Sequence, residues 1–395
     1  MPISLPADVS KIIDTLMSHG HDAYIVGGCV RDSIRGVLPK DWDITTSALP
    51  AQVLKIFPRT FETGIKHGTI TVLINRQGYE VTTYRIDGEY LDNRRPDNVV
   101  FTTDIEEDLS RRDFTINAIA YNPASGYVDP HGGRGDIIKK IIRCVGNPID
   151  RFGEDALRML RAIRFAGQLG FIVDKPALDA IVKKQNTLAN ISVERIKAEL
   201  TKLLASPHVE AVSLLVTTGL LPYTIVGHTY GGDIEEVITQ LKECPPNEPL
   251  RLALFLGWSG KSCPEILRSL RFDNKTIREV SLYVSLLADK IPLDRYEIKK
   301  YLRQMLQASF ENLLLLQSII NPQEKERLAA VCKEARDIQA KNECYTLGDL
   351  SVKGEDLIAA GFPPGKAIGD KLEELLDMVM REPGLNGALQ GMISN

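Results

Sequence analysis

Lys40-Asp41-Trp42-Asp43-Ile44, preceded by Val26-Gly27-Gly28-Cys29-Val30-Arg31-Asp32, is the stretch on which the reading of this chain turns. In an extended segment side chains alternate between faces, so a strand over 40–44 would point Asp41 and Asp43 the same way. Two co-facing carboxylates repel each other unless a cation lies between them. That arrangement suits a hard divalent ion with oxygen ligands, above all Mg²⁺ carrying a nucleoside triphosphate. The glycine pair lets backbone approach phosphate closely, and Arg31 stands nearby for a charge-assisted contact.

Each piece alone is weak. Asp-x-Asp arises about once by chance in a chain this long, where it is usually a solvated turn, and Gly-Gly is mostly a turn signal. The order carries the weight: apolar strand, Gly-Gly, a short helical stretch, then Asp-x-Asp. Together they read as the metal and triphosphate site of nucleotidyl transfer, with Asp41 and Asp43 as both catalytic and metal-ligating residues.

Working outward, residues 7–19 place Val9, Ile12, Ile13, Leu16 and Met17 at helical spacing. Strand signals recur at Ala23–Val26, Trp42–Ile44, Thr69–Ile74, Tyr79–Tyr84 and Ile116–Tyr121, with a helix near Pro50–Phe57. This pattern predicts a mixed α/β layer rather than regular parallel βαβ units. Glu80 on its strand is either a third carboxylate near the metal or an exposed edge residue. The charged run Ile86–Asn98 reads as a surface loop. His21-Asp22 lacks a second His-Asp cluster, and no histidine follows His228, which speaks against a metal hydrolase.

From about Arg151 the character becomes helical. Glu154-Asp155-Ala156-Leu157-Arg158-Met159-Leu160-Arg161-Ala162-Ile163-Arg164-Phe165 predicts one helix with acids in its first turn. Arg158, Arg161 and Arg164 would form a cationic stripe, and Asp155 and Arg158 would sit one turn apart. A carboxylate beside a guanidinium matches the amino donor and ring-nitrogen acceptor shared by cytosine and adenine; uracil and guanine reverse that order. Such a pair would select C and A without a template, because the wrong base leaves buried polar groups unpaired. Further amphipathic helices are expected at Ile298–Met305 and Phe310–Ile320, with breaks near Cys244-Pro245-Pro246 and Asn321-Pro322.

The composition, 44% hydrophobic and 25% charged over 395 residues, is that of a globular chain large enough for two or more domains. No apolar run approaches the roughly 20 residues of a membrane helix, and the N-terminus shows no secretory pattern. Six scattered cysteines point to reduced thiols in a cytoplasm rather than to structural zinc. A net charge of −4 requires any RNA surface to be a local basic patch.

Gly27-Gly28-x-x-Arg31-Asp32, Asp41-x-Asp43, Arg111-Arg112-Asp113, Glu154-Asp155-x-x-Arg158 and Ile191-Ser192-Val193-Glu194-Arg195-Ile196 resemble, in order and spacing, the motifs of bacterial class II tRNA nucleotidyltransferases, the CCA-adding enzymes. The motifs span about 25–200. The resemblance implies an α+β, polymerase-β-like head over 1–148, a helical neck over 149–221 that recognises the base, and an all-α body and tail over 222–395 that hold tRNA. It implies Mg²⁺ on Asp41 and Asp43, and triphosphate contacts from Gly28 and Arg31. Arg112 would line the nucleotide pocket, with Asp113 near the ribose. Asp155 and Arg158 would read the base, while Arg161 and Arg164 support nucleotide and RNA. Phe61–Ile70 looks like the CCA-adding form rather than that of poly(A) polymerases, and the loop Asp87–Pro96 resembles one that CC-only relatives lack. The partners implied are tRNA, CTP and ATP, with no membrane and with a homodimer left open. An A-adding enzyme, a poly(A) polymerase and an inactive RNA-binding relative are the alternatives.

Overall fold

The computed structural model describes residues 2–88, 99–225 and 227–393. The chain forms two compact units, Met1–Ile238 with Glu265–Phe272, and Thr239–Pro264 with Asp273–Asn395.

The first unit opens with helix α1 (Ala7–Ser18), whose Val9, Ile12, Ile13 and Leu16 are buried as their spacing predicts. Strand β1 (Ala23–Val26) follows, then α2 (Gly28–Ile34), β2 (Ile44–Thr46) and α3 (Pro50–Ile56), which starts on a proline suited to a first helical position. Next come β3 (Thr60–Gly64), β4 (Thr69–Ile74), β5 (Gln77–Thr83) and the small ladder of β6 (Arg85–Asp87) with β7 (Val99–Phe101). Helix α4 (Ile105–Ser110) is capped by the Asp104 carboxylate, which accepts from the Glu106 N–H. Strands β8 (Ala120–Asn122) and β9 (Gly126–Val128) complete the layer.

Among the described residues the main sheet has the order β3-β4-β5-β2-β1-β8-β9. It is mixed: β2 runs antiparallel to β1 but parallel to β5, with Ile44 opposite Val81. That agrees with the expected mixed layer. Two local expectations fail. The strand begins at Ile44, so Asp41, in a bend, and Asp43 lie just before it rather than within it. The Val26 N–H still donates to the Asp43 carbonyl at 3.0 Å, so pairing runs one bond further. And 116–121 is not one strand. A short 3₁₀ turn at Thr115–Asn117 precedes β8, because Asp113 and Asn117 satisfy local polar groups that a ladder would otherwise use.

Helix α5 (Gly133–Lys139) leads to β10 (Ile141–Ile142) and α6 (Pro148–Glu154), capped by Asn147. The single helix expected from Glu154 is in fact two. Asp155 leaves the helical region (φ −138°, ψ 104°), and its carboxylate accepts from the Leu157 N–H at the start of α7 (Leu157–Leu169). An aspartate stabilises a helix start better than a helix interior, which is why the break falls there. Strand β11 (Ile172–Val173) pairs with β10, and α8 (Lys175–Lys184) and α9 (Val193–Leu204) complete the part that positions the site.

The second unit is helical, with helices at Glu248–Phe255, Asn274–Leu286, Arg295–Gln304, Gln307–Ile320, Lys325–Ala340 and Lys366–Arg381. Pro322 follows a helix end, as expected of a residue that cannot continue the hydrogen-bond ladder. Cys344, Leu350, Val352, Leu357, Leu376 and Val379 form one of its apolar clusters. Lys299 is 1% exposed there and donates to the Met380 carbonyl, beside Glu343. Most of the loop Asp87–Pro96 lies outside the described residues.

Candidate active site

Gly27 is where the site begins. Its φ of +79° favours glycine, and a β-carbon there would stand 3.2 Å from an Arg112 guanidinium nitrogen. Gly28 is less constrained by the protein itself, since a β-carbon would make only ordinary contact with Arg31. These two residues line a cavity of about 480 Å³ together with Arg31, Asp43, Arg111, Arg112, Asp113, Asn117, Asp155, Arg158, Arg161, Phe165 and Arg195. A larger cavity of about 910 Å³, lined by Asp104, Glu106, Arg151 and Lys184 among others, lacks the glycine pair and both aspartates of the Asp-x-Asp.

Around Asp41 and Asp43 the expected alternation holds without a ladder: both are exposed, while Trp42 and Ile44 are buried. Although Asp43 keeps contact with solvent, the protein packed around this cavity-lining residue partly desolvates its carboxyl and raises its pKa; the charges of Glu80 and Asp41 add to the rise, and Arg112 opposes it. Glu80 thus stands close enough to Asp43 to repel it, on β5 at the neighbouring register. Among the described residues no group of three or more His, Cys, Asp or Glu could cage a metal by itself. Two hard carboxylates short of a full shell fit Mg²⁺, which keeps waters and completes its coordination with substrate phosphate oxygens.

Buried acids aim the arginines. Asp108, fully buried on α4, accepts from Arg111 at 2.7 Å and Arg112 at 3.0 Å; burial alone would raise its pKa, but the two guanidinium charges bring it down. Arg31 is held by Asp32 at 2.9 Å and donates to Asn117 Oδ1 at 2.7 Å. Asp113 accepts from Asn117 at 3.1 Å and from Arg161 at 2.6 Å. Burial works against its charge, yet Arg161 and Asn117 hold its pKa down to about 2.

Asp155 and Arg158 remain neighbours, with the Arg158 N–H on the Asp155 carbonyl. Each also has a partner of its own. Arg195 forks onto the Asp155 carboxylate at 2.7 and 3.3 Å, and Arg158 pairs with Glu154 and donates to the Arg111 carbonyl at 3.1 Å. The three arginines expected to form one cationic stripe separate. Arg158 and Arg164 are buried, and only Arg158 and Arg161 line the cavity. Arg164 pairs with Glu199 and Gln168 and stacks 3.9 Å from the Phe165 ring centroid. Asp41 also lies outside the residues lining that cavity. Asp108 and Glu199 escaped the sequence reading, and Asn117 and Phe165, seen beside the arginines, received no role in it, although Asp108 precedes the two arginines at i+3 and i+4, a spacing that places side chains together on a helix.

The chain matches the poly A polymerase head domain over 23–143, a probable RNA and SrmB-binding site of polymerase A over 170–227, and domain 2 of tRNA nucleotidyltransferases over 250–385. It is 38% identical over 381 residues to the CCA-adding enzyme of Geobacillus kaustophilus, covering 94% of this chain and 90% of that one. It is 36% identical over 375 residues to that of Bacillus velezensis, covering 93% and 92%. The crystal structure of the Bacillus stearothermophilus CCA-adding enzyme in complex with CTP superposes with a TM-score of 0.81 at 35% identity, covering 94% of this chain and 92% of that one. This chain belongs to the family of CCA-adding enzymes.

Proposed function

We propose that this chain adds C, C and A to the 3′ end of tRNA from CTP and ATP, releasing pyrophosphate. One observation carries the reading: Gly27, Gly28, Arg31, Asp43, Arg112, Asp155 and Arg158, drawn from four separated motifs, line a single cavity in a chain of this family. Enzymes of the family generally use a divalent metal, and Asp41 and Asp43 would hold Mg²⁺ here. Bound Mg²⁺ supplies charge neutralisation at the triphosphate and lowers the pKa of the attacking 3′-hydroxyl. Gly28 leaves room for the phosphates, and Arg31 offsets their charge. Asp113 and Arg161 face the ribose side, and Arg112 lines the pocket between. Asp155 accepts from the amino group of C or A while Arg158 donates to the ring nitrogen; Arg164 acts one layer away by packing Phe165.

We assign 1–148 to the head, 149–221 to the base-reading neck and 222–395 to a tRNA-holding body and tail. The six cysteines are free thiols and, among the described residues, no helix is long and apolar enough to cross a membrane; both support the cytoplasm as the setting.

The test is a tRNA lacking its last three nucleotides, incubated with labelled CTP and ATP, separately and together. Two additions with CTP alone and three with both are expected. One addition, from ATP and only onto tRNA ending in CC, would instead mark an A-adding enzyme, and long adenosine tails on arbitrary RNA a poly(A) polymerase.

A further inference from the structure

Asn117 is 8% exposed and ends the 3₁₀ turn, and a β-carbon on Gly27 would lie 3.8 Å from its carbonyl oxygen; two residues on, the Ile119 carbonyl accepts from the Gly27 N–H at 3.1 Å. Its amide is bonded on both sides. Arg31 donates to Oδ1 at 2.7 Å, and Nδ2 donates to Asp113 Oδ1 at 3.1 Å. The orientation of that amide is forced by its partners. A guanidinium offers only donors, so oxygen must face Arg31; an ionised carboxylate offers only acceptors, so nitrogen must face Asp113. Beyond Asp113, Oδ2 takes Arg161 at 2.6 Å, giving an unbroken chain Asp32–Arg31–Asn117–Asp113–Arg161 along the cavity wall.

We propose that Asn117 is a positioning residue that locks the triphosphate arginine, Arg31, and the ribose-side pair, Asp113 and Arg161, into one arrangement. The inference rests on the nucleotide site proposed above and deepens it. Only a short side chain with one acceptor and one donor serves both neighbours. A carboxylate at this position would face a second carboxylate, and a hydrocarbon would leave both partners short of a bond. Because Arg31, Asp113 and Arg161 touch parts common to every nucleotide, the lock acts on CTP and ATP alike and leaves the choice of base to Asp155 and Arg158.

The test is equilibrium binding of CTP and of ATP, each with Mg²⁺, by calorimetry, with melting curves for every variant. Asn117→Asp is expected to weaken both nucleotides about tenfold or more and by the same factor. Tripolyphosphate with Mg²⁺, which carries no base and engages Arg31, is expected to bind the same variant more weakly than the unmodified chain, because Arg31 has lost its fixed position. Should the single variant fail to fold, Asn117→Ser removes the amide without adding charge and is expected to weaken both nucleotides several-fold. Unmodified affinity in Asn117→Ser or Asn117→Asp, loss confined to one base, or tripolyphosphate bound as tightly by the variant as by the unmodified chain would overturn the inference. An unmodified chain that binds CTP but does not extend tRNA would count against the function and leave these binding comparisons standing.

Discussion

Arg195 on α9 and Asp155 between α6 and α7 are joined by a forked ion pair, 40 residues apart in sequence and 2.7 Å apart in space. The carboxylate assigned to base reading is therefore held across both oxygens by a guanidinium, and the Leu157 N–H also donates to its Oδ1. Arg195→Lys keeps the charge but loses the fork, the one contact that spans both carboxylate oxygens. A fall in kcat/KM for CTP of about tenfold, with more UTP misincorporated, is expected. Unchanged selectivity in a single-nucleotide incorporation assay would show that the fork does not aim Asp155.

Asp155→Ala should remove the preference for CTP and ATP over UTP and GTP while extension by some nucleotide persists. Losing a buried hydrogen-bonding partner costs about 1–3 kcal/mol, or roughly 5- to 150-fold in discrimination. Competition between labelled CTP and excess UTP reads this directly.

Asp41→Ala and Asp43→Ala should each abolish nucleotide addition without lowering the melting temperature. Both carboxylates are exposed, and the charge of Asp41 raises the Asp43 pKa, so neither is a source of fold stability. Chelation of divalent ions should silence the unmodified chain in the same way. Residual turnover in either variant would move the metal site elsewhere.

Glu199→Ala should act on stability rather than on chemistry. It strands the buried Arg164 guanidinium, whose pKa burial already lowers, without a carboxylate. Removing one member of a buried pair costs about 3–5 kcal/mol. Denaturant unfolding would measure it, and a loss below about 1 kcal/mol would contradict the assignment of this pair as a buried strut.

Asp113 sets an acid limit on the fold. Its carboxyl titrates at about 2 when folded against an ordinary 3.8, so the ionised form stabilises the folded chain. That contribution, about 2 kcal/mol, is complete above pH 4 and disappears as pH falls from 4 toward 2. Asp113→Asn should therefore flatten the pH dependence of unfolding across that window. A slope equal to that of the unmodified chain would place the stabilising carboxylate elsewhere.

The sequence by itself determined what local rules can determine. Helical spacing of Val9, Ile12, Ile13 and Leu16, the proline at 50 and the alternation around Trp42 depend on neighbours a few residues away, and the structure reproduces each. The family motifs, being contiguous, were legible in the same way. Only the tertiary structure decided which side chains are partners. A guanidinium drawn into or against the low-dielectric interior needs a counter-charge, and the chain supplies Glu199 to the buried Arg164, and Asp113 and Asp155 to the half-buried Arg161 and Arg195, from 35 to 48 residues away. Distant partners of this kind draw Arg161 and Arg164 out of the expected cationic stripe, and no periodicity could have announced them.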